Sequence, residues 1–333
     1  MQFGQLKRRE LIALLGGAAA GWPLSGHAQQ PYHKRQIGVL MDISQDRVGQ
    51  QFVSAFLHGL EELSWNEGDN IHIDYRWGAA DLGGVQSSAI ELVNLKPDVI
   101  LAQGSLAISA LIGLTRTIPI VFVQVGDPVG SGIIASLARP GENVTGFTPL
   151  EFSMSGKGLE VLKEVAPWVT RVAVIYKPDQ APQLGMWHAI EAAAPSLGVS
   201  VIAVSPRDAA EIEHTVEAFG SEPRGGMIVL PNPITTLHRG LIIELMARHR
   251  LPALYGYRYF VSDGGLVSYG TDVADLYRQA ASYVDRILKG VRPADLPVVQ
   301  PTKFELAINL KTAKALGLAI PESFLTRADE VIE

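Results

Sequence analysis

Residues 37–63 read IGVLMDISQDRVGQQFVSAFLHGLEEL, an apolar run followed by a polar loop and an amphipathic segment. The run at 37–41 is short and continuously apolar, which is typical of a buried strand. After the polar residues 42–47, apolar side chains recur at helical spacing, beginning with Phe52 and Phe56. The stretch therefore predicts one strand–loop–helix unit of an α/β protein.

The same alternation continues along the rest of the chain. Its strands lack polar alternation, which suits parallel sheets covered by helices on both faces. The sequence therefore predicts two βα-alternating halves in series. Further strands are predicted at 71–76, 99–102, 118–125, 144–147, 172–176, 199–204, 227–230, 253–254 and 266–269. Helices are predicted near 85–94, 106–114, 131–137, 152–165, 184–197, 209–219, 237–250 and 273–289.

Breaker residues predict where the chain passes between the halves. A first passage is expected within 141–150, because Gly141 ends one helix and Pro149 interrupts the next strand. A second is expected near 270–272, before the long helix. The tail is predicted to dock back on the body as a strand and two helical pieces, at 304–309, 310–316 and 324–328. The predicted division is lobe 1 at 36–147 and lobe 2 at 148–270, with 273–333 shared between them.

Length and composition exclude several classes of protein. The 333 residues are enough for about two domains, and 47% hydrophobic and 19% charged residues are ordinary for a globular chain. A net charge of -6 provides no basic field for a phosphate backbone, so nucleic acid is not an expected partner. The chain has 0 Cys, which excludes disulfides, iron–sulfur clusters and thiol nucleophiles.

The N-terminus has the pattern of a secretory signal. Basic residues 7–9 precede an apolar stretch at 11–22, and small residues Gly26 and Ala28 follow. This order predicts a signal peptide at 1–28 that is cleaved after its last residue. The adjacent arginines also resemble a twin-arginine signal. Because no Cys follows, a lipid anchor is excluded, and a periplasmic protein without direct membrane insertion is expected.

Motifs for catalysis, metal binding and nucleotide binding are absent. No histidine pair has metalloprotease spacing, and neither a Gly-x-Ser-x-Gly elbow nor a P-loop occurs. GSGIIA at 130–135 matches a dinucleotide fingerprint, but residues 126–129 separate it from the preceding strand. It is interpreted as a loop and the first turn of a helix. We predict no catalytic residue, no metal and no cofactor.

The candidate ligand-binding residues lie in loops after the predicted strands, where open α/β sheets bind ligands. Ser105 and its neighbour begin a helix, whose free N–H groups suit a carboxylate or a phosphate, although a plain N-cap is an alternative. Asp127 is interpreted as a partner for a ligand ammonium or as the cap of its own turn. Tyr257 and Arg258 offer an aromatic wall and a carboxylate fork. The full set is Asp42, Ser44, Gly104, Ser105, Asp127, Lys177, Asn232, Tyr257 and Arg258.

Several segments of the chain resemble one family. They are the signal at 7–18, DPV at 127–129, PGENVTG at 140–146, GGLVSYGTD at 264–272, ADLP at 294–297, QPTKFEL at 300–306, NLKTAKALGL at 309–318 and RADE at 327–330. The family is the periplasmic substrate-binding proteins of ABC transporters, in the branch often labelled tryptophan/tyrosine uptake. The resemblance covers essentially the whole chain, and the tail is its most specific part.

The resemblance implies an α/β protein with the type I periplasmic binding fold, in which two doubly wound parallel-sheet lobes are joined by three crossing segments. A ligand is expected in the cleft between the lobes. The implied function is that of the exported solute-binding component of an ABC importer. It captures a small polar organic ligand, amino-acid-like or an aromatic acid, and delivers it to an ABC permease in the inner membrane. We expect a monomer and not an enzyme.

Two other function classes stay open from the sequence. An exported enzyme is possible if Asp42, Asp127 and Asp263 converge as an acid/base pair. A soluble ligand sensor that feeds a receptor is the second. The binding hypothesis predicts instead that Ser105 and Asp127 of lobe 1 share one ligand with Tyr257 and Arg258 of lobe 2.

Overall fold

The computed structural model describes residues 34–78, 81–149 and 153–333, and its strands form two sheets. The first sheet consists of β1 (Arg35–Met41), β2 (Ile71–Trp77), β3 (Val99–Gln103), β4 (Ile120–Val123) and β5 (Val144–Phe147). All of its strands are parallel, in the order β2-β1-β3-β4-β5. This sheet is the centre of lobe 1.

Local sequence signals explain the helices of lobe 1. Helix α1 (Arg47–Glu62) begins where the Asp46 carboxylate accepts hydrogen bonds from the N–H groups of Val48 and Gly49, at 3.0 and 3.1 Å. Phe52 and Phe56 lie in its buried stripe, as their spacing predicts. The helices after β1, β2 and β3 are α1 (Arg47–Glu62), α2 (Leu82–Leu95) and α3 (Gly104–Leu114).

The second sheet has seven strands and is the centre of lobe 2. Its strands are β6 (Arg171–Ile175), β7 (Ser200–Val204), β8 (Gly225–Val229), β9 (Ala253–Tyr255), β10 (Val267–Thr271), β11 (Phe304–Asn309) and β12 (Glu330–Ile332). They run in the order β12-β11-β10-β9-β8-β6-β7. Strands β6 to β10 are parallel, whereas β11 pairs antiparallel with β10. The tail therefore extends the sheet of lobe 2.

The remaining helices surround the second sheet, except for one. They are α4 (Ser153–Val165), α5 (Ala181–Ala193), α6 (Ala209–Gly220), α7 (Pro233–Leu237), α8 (Arg239–Arg248), α9 (Arg258–Ser262), α10 (Val273–Leu288), α11 (Leu310–Ala315) and α12 (Glu322–Leu325). Short 3-10 turns cover Ala194–Leu197 and Pro293–Asp295. The exception is α10, which packs on α1 of lobe 1. No helix in the described parts of the chain is both long and apolar enough to cross a bilayer.

Three crossing segments, which lie side by side, join the two lobes. The chain leaves lobe 1 after β5, returns after β10 to form α10, and leaves again before β11. The Thr148 N–H donates to the Val299 carbonyl at 3.0 Å, which joins the first and third segments. The Thr271 hydroxyl donates to the Pro149 carbonyl at 2.8 Å, which joins the second to the first. The predicted fold class of two doubly wound lobes with three crossings is confirmed.

Residues 131–137 form turns, so the helix predicted there is wrong. The N–H groups of Ile133 and Ile134 both donate to the Pro128 carbonyl at 3.0 Å, which prevents a regular i→i−4 ladder. The fingerprint-like match at 130–135 therefore does not begin a helix.

Two other helix predictions need correction. The helix predicted at 237–250 is divided into α7 and α8, and it begins earlier because Asn232 caps the turn that starts at Pro233. Only the first two residues of the final helix predicted at 324–328 belong to α12; turns follow, and then β12, which pairs with β11. This pairing depends on a partner strand distant from it in sequence, so the local pattern did not indicate it.

Candidate functional site

A cavity of about 150 Å³ lies between the lobes, where the carboxyl ends of strands from both sheets meet. Lobe 1 contributes the residues after β1, β3 and β4, together with Phe52 of α1. Lobe 2 contributes the start of α5, the Pro231–Asn232 turn, Tyr257 and Tyr259. The crossover order of each sheet brings these loops to one cleft, as the rule for open α/β sheets predicts.

Asp42 is the central polar group of the lobe 1 wall. It follows β1 and lies beside Gln103 because Met41 and Gln103 are register partners. The Asp42 N–H donates to the Gln103 side-chain oxygen at 3.0 Å, and the Leu106 N–H donates to the Asp42 carboxylate at 3.3 Å. The carboxyl group therefore lies at the amino end of α3, where the helix dipole favours a negative charge.

Gly104 makes this arrangement possible. Its φ is +84°, and a Cβ built there would lie 1.9 Å from the Asp42 Oδ2. A side chain at this position would displace the carboxyl group from the helix end, and the left-handed backbone favours glycine independently. Gly104 is therefore required for the position of Asp42 and need not itself contact a ligand.

Burial raises the pKa of Asp42 to about 7, although hydrogen bonds from Leu106 and Gln103 act in the opposite direction. Its side chain is the single carboxyl group among the described residues that line the cleft, and these residues include no lysine, arginine or histidine. The cleft thus offers one titratable acid and no fixed positive charge.

An aromatic wall crosses from one lobe to the other. Phe52 of lobe 1 meets the Tyr259 ring of lobe 2 edge-on at 6.2 Å, and Tyr257 lies 5.4 Å from Tyr259. The Tyr277 ring of α10 stacks on Phe52 with the ring centroids 5.0 Å apart, and Tyr277 itself does not line the cleft. The wall is a surface for an apolar or aromatic group.

Gln124 connects the polar wall to the aromatic one. It follows β4 with a φ of +60°, an uncommon conformation for a residue other than glycine. Its side-chain oxygen accepts hydrogen bonds from Gln103 at 3.3 Å and from the Tyr277 hydroxyl at 3.4 Å. Gln124 also lines the cleft with Tyr257, whose pKa burial raises to about 12 and the nearby Gln124 side chain lowers. A lobe 1 amide and a lobe 2 wall residue therefore share one side of the cleft.

Three helices begin at the cleft, and in two of them the residue that precedes the helix does not cap it. Neither Gln103 before α3 nor Gln180 before α5 caps its helix with its side chain. By contrast, Asn232 accepts a hydrogen bond from the Thr235 N–H at 3.0 Å and caps α7. The Asp42 carboxylate already accepts the Leu106 N–H at the start of α3, so the first N–H groups of α5 are the ones that suit a ligand carboxylate.

The structure brings five of the nine candidate residues to the cleft. They are Asp42, Gly104, Ser105, Asn232 and Tyr257. Ser44 lines a smaller adjoining cavity beside Asp46 and Arg239 instead.

The other three candidates do not line the cleft. The Asp127 carboxylate accepts a hydrogen bond from the Gly130 N–H at 2.7 Å and closes its own turn. The Lys177 backbone N–H donates to the Gln183 side chain at 2.8 Å, and Lys177 is not among the residues that line the cleft. Arg258 is exposed, and its guanidinium donates to the Glu330 carboxylate of β12 at 2.6 Å. Arg258 therefore holds the tail strand to lobe 2.

Several cleft residues are missing from the sequence prediction. Gln103 and Gln124 stand at strand ends, so the rule that selected Asp42 applies to them as well. Phe52 and Tyr259 carry no such signal, because an apolar residue at helical spacing is read as core. Among the described residues, no group of three or more His, Asp or Glu side chains is arranged to hold a metal ion.

The model of the family described as ABC transporter substrate binding protein matches residues 36–332. The chain belongs to this family. A curated relative, the Tyrosine-binding protein of Clostridioides difficile (strain R20291), is 27% identical over 269 residues, which cover 79% of this chain and 75% of the relative.

Solved structures of similar proteins have the same fold. A conserved domain protein from Vibrio cholerae matches with a TM-score of 0.82 and 27% identity, over 90% of this chain and 99% of that one. An ABC domain from Streptococcus pneumonia in complex with L-Trp matches with a TM-score of 0.82 and 25% identity, over 90% of this chain and 100% of that one. This substrate-binding protein therefore shares its two-lobed architecture with a relative that holds a small molecule.

Proposed function

We propose that this substrate-binding protein captures an L-amino acid with an aromatic side chain in the cleft between its lobes and delivers it to an ABC permease. The observation that carries the proposal is the charge pattern of the cleft. Asp42 is its single carboxyl group among the described lining residues, and no basic side chain accompanies it. A buried carboxylate in such a place is stabilised by a cationic group on the ligand.

The zwitterion of an amino acid fits both polar features of the cleft. Its ammonium group pairs with the Asp42 carboxylate, and its carboxylate accepts hydrogen bonds from the start of α5, which the preceding residue does not cap. The aromatic wall formed by Phe52, Tyr257 and Tyr259 then contacts the side chain. Phosphates and dicarboxylates lack a basic partner here, so they are not expected ligands.

The relatives support the same ligand class. One is named for tyrosine binding, and another was solved in complex with L-Trp. Both names describe aromatic L-amino acids, the class that the charge and the aromatic wall of this cleft favour. We extend that class to this protein as a proposal.

The arrangement of acids favours capture over catalysis. Asp127 closes its own turn, and Asp263 is paired with Arg239 at 2.9 Å. An acid/base pair at Asp42 would need one of these as its second carboxyl group. We propose that the protein is not an enzyme, and that it acts as a monomer in the periplasm after export by the predicted signal at 1–28, which lies outside the described residues.

Calorimetric titration of the purified protein with L-tryptophan, L-tyrosine, L-glutamate and inorganic phosphate tests the proposal. The two aromatic amino acids are expected to bind, and the two anions are not. Affinity is expected to fall about tenfold per pH unit below pH 7, because Asp42 must release its proton to receive an ammonium group.

Asp42→Asn is expected to weaken aromatic amino acid binding at least about thirtyfold, since it removes the charge that faces the ammonium group. Asp127→Asn is the matched control, because it alters an aspartate that lies outside the cleft. Undiminished binding by Asp42→Asn, or binding of phosphate but of no amino acid, would refute the proposed function.

A further inference from the structure

A second cavity, of about 60 Å³, lies in lobe 2 directly beside the cleft. The two cavities share four wall residues, which are Pro149, Met186, Pro231 and Tyr257. Three of these are rigid, since two are prolines and one is an aromatic ring. Met186 is the flexible member of the shared wall, because its unbranched side chain has three rotatable bonds.

The second cavity is apolar. Met154, Ile228, Leu254 and Phe304 are among its lining residues, and none of the described residues that line it is charged. Asp42, Gln103 and Gln124, which line the cleft, are not among the described residues of its wall. Its chemistry therefore suits a hydrocarbon or aromatic group and not the charged end of an amino acid.

Missing side chains leave this space open. Gly158 of α4 faces the cavity, and a Cβ there would lie 3.1 Å from the Leu254 side chain. At Gly270 a Cβ would lie only 1.9 Å from the Gly256 carbonyl oxygen, so the backbones of β10 and the turn after β9 approach closely. Gly158 is therefore needed to keep the space open, and Gly270 is needed for the close packing of β10 against the turn after β9.

Tyr257 is the aromatic residue that separates the cleft from the second cavity and borders both. It lines both of them, and it is close enough to Asp42 for the carboxyl charge to influence the phenol. A ligand whose ammonium group meets Asp42 can therefore extend along the Tyr257 ring toward the second cavity.

We propose that the second cavity receives the aromatic side chain of the amino acid whose ammonium group Asp42 holds, with Met186 moving aside to admit it. The inference rests on the proposed function and adds the site that selects the side chain. Amino acids with small side chains occupy only the cleft and bind weakly. Those with large apolar side chains fill both spaces and bind tightly.

Ser155→Leu tests this inference. Ser155 of α4 lines the second cavity but not the cleft, so a leucine there fills the space without altering the residues around Asp42. Lys157→Leu is the matched control, because Lys157 is exposed on the same helix. Calorimetry measures the affinities of each variant for L-tryptophan and L-alanine, and circular dichroism checks the fold.

Ser155→Leu is expected to weaken L-tryptophan binding at least about tenfold while L-alanine binding stays within about twofold. Ser155→Val adds a smaller group and is expected to give an intermediate loss, which keeps the test valid if the leucine variant misfolds. Unchanged tryptophan affinity, or an equal loss for both amino acids, would overturn the inference. A wild-type protein that binds neither amino acid would refute the proposed function itself.

Discussion

Asp42 shows how one side chain can link binding to stability. It is 3% exposed, and none of the described residues that line the cleft is a cationic partner for it. Burial disfavours its charged form, and hydrogen bonds from Leu106 and Gln103 compensate only in part. The unliganded protein is therefore less stable at high pH than it would be without this carboxyl group. A ligand ammonium group that pairs with Asp42 offsets this loss of stability.

We predict that Asp42→Asn stabilises the unliganded protein above pH 7. Burial raises the pKa of Asp42 from 3.8 to about 7 on folding, so the folded state binds its proton more tightly. The contribution of Asp42 to the unfolding free energy of the wild-type protein should then fall as pH rises from 4 to 7, by at most about 4 kcal/mol.

The asparagine variant lacks this titration. Urea denaturation of both proteins at pH 5 and pH 8 should show an advantage for the variant of about 2 kcal/mol at pH 8 that shrinks toward pH 5. The other titrating groups are common to both proteins and cancel in the difference. A difference that does not depend on pH would contradict the account of Asp42.

The second and third crossing segments carry a pair of carboxyl groups. Asp272 caps α10 by accepting a hydrogen bond from the Asp275 N–H at 2.9 Å, and Glu305 lies on β11 opposite Gly270. Burial and the charge of Asp272 together raise the pKa of Glu305 to about 7, against the attraction of Arg258 and Lys303. Glu305 on β11 therefore keeps its proton to near neutral pH because it is partly buried beside the charge of Asp272.

We predict that Glu305→Gln stabilises the protein by about 1 kcal/mol at pH 8, a modest effect because Glu305 is partly solvated. Because the pKa of Glu305 is raised, its contribution to stability declines as pH rises from about 4.5 to 7. The gain should therefore disappear near pH 5. Thermal unfolding at the two pH values measures it, with the exposed Glu322→Gln as control. An equal shift in both variants would count against the carboxyl pair.

At the scale of the whole molecule, the two lobes are joined by ion pairs among four charged side chains at the edge of the cleft. Arg239 of lobe 2 donates to Asp46 of lobe 1 at 2.7 Å and to Asp263 of its own lobe at 2.9 Å. Arg47 of lobe 1 also pairs with Asp263. The Arg239 side chain is only 18% exposed, so solvent screens its ion pairs less than those of a surface arginine. These pairs favour the conformation in which the lobes are in contact.

We predict that Arg239→Gln lowers ligand affinity about three- to tenfold, mainly through faster dissociation, although Arg239 does not line the cleft. The loss arises because the ion pairs stabilise only the conformation in which the lobes meet. Stopped-flow binding at low and high salt measures the effect, and the difference from wild type should narrow at high salt. Arg248→Gln is the control, since Arg248 pairs with Glu244 within one helix. An equal loss in the control would contradict the prediction.

Local patterns in the sequence were enough to predict most of the strands and helices and their grouping in two βα-alternating halves, whereas the three crossing segments were implied by the family resemblance. The runs at 37–41 and 99–102 are apolar throughout because parallel strands are buried on both faces. The predicted positions of Asp42 and Tyr257 rest on the rule that ligands bind at the carboxyl ends of such strands. These features depend on residues close together in the chain, which is why a single sequence reveals them.

Only the tertiary structure decided which loop residues face the cleft. Asp127 and Arg258 follow strands just as Asp42 and Tyr257 do, but a local turn engages the first and the distant Glu330 engages the second. The strand β12, the cavity behind Met186 and the ion pairs of Arg239 likewise join residues far apart in sequence. Periodicity and turn signals report on neighbours within a few residues, whereas these contacts arise only when the lobes and the tail pack together.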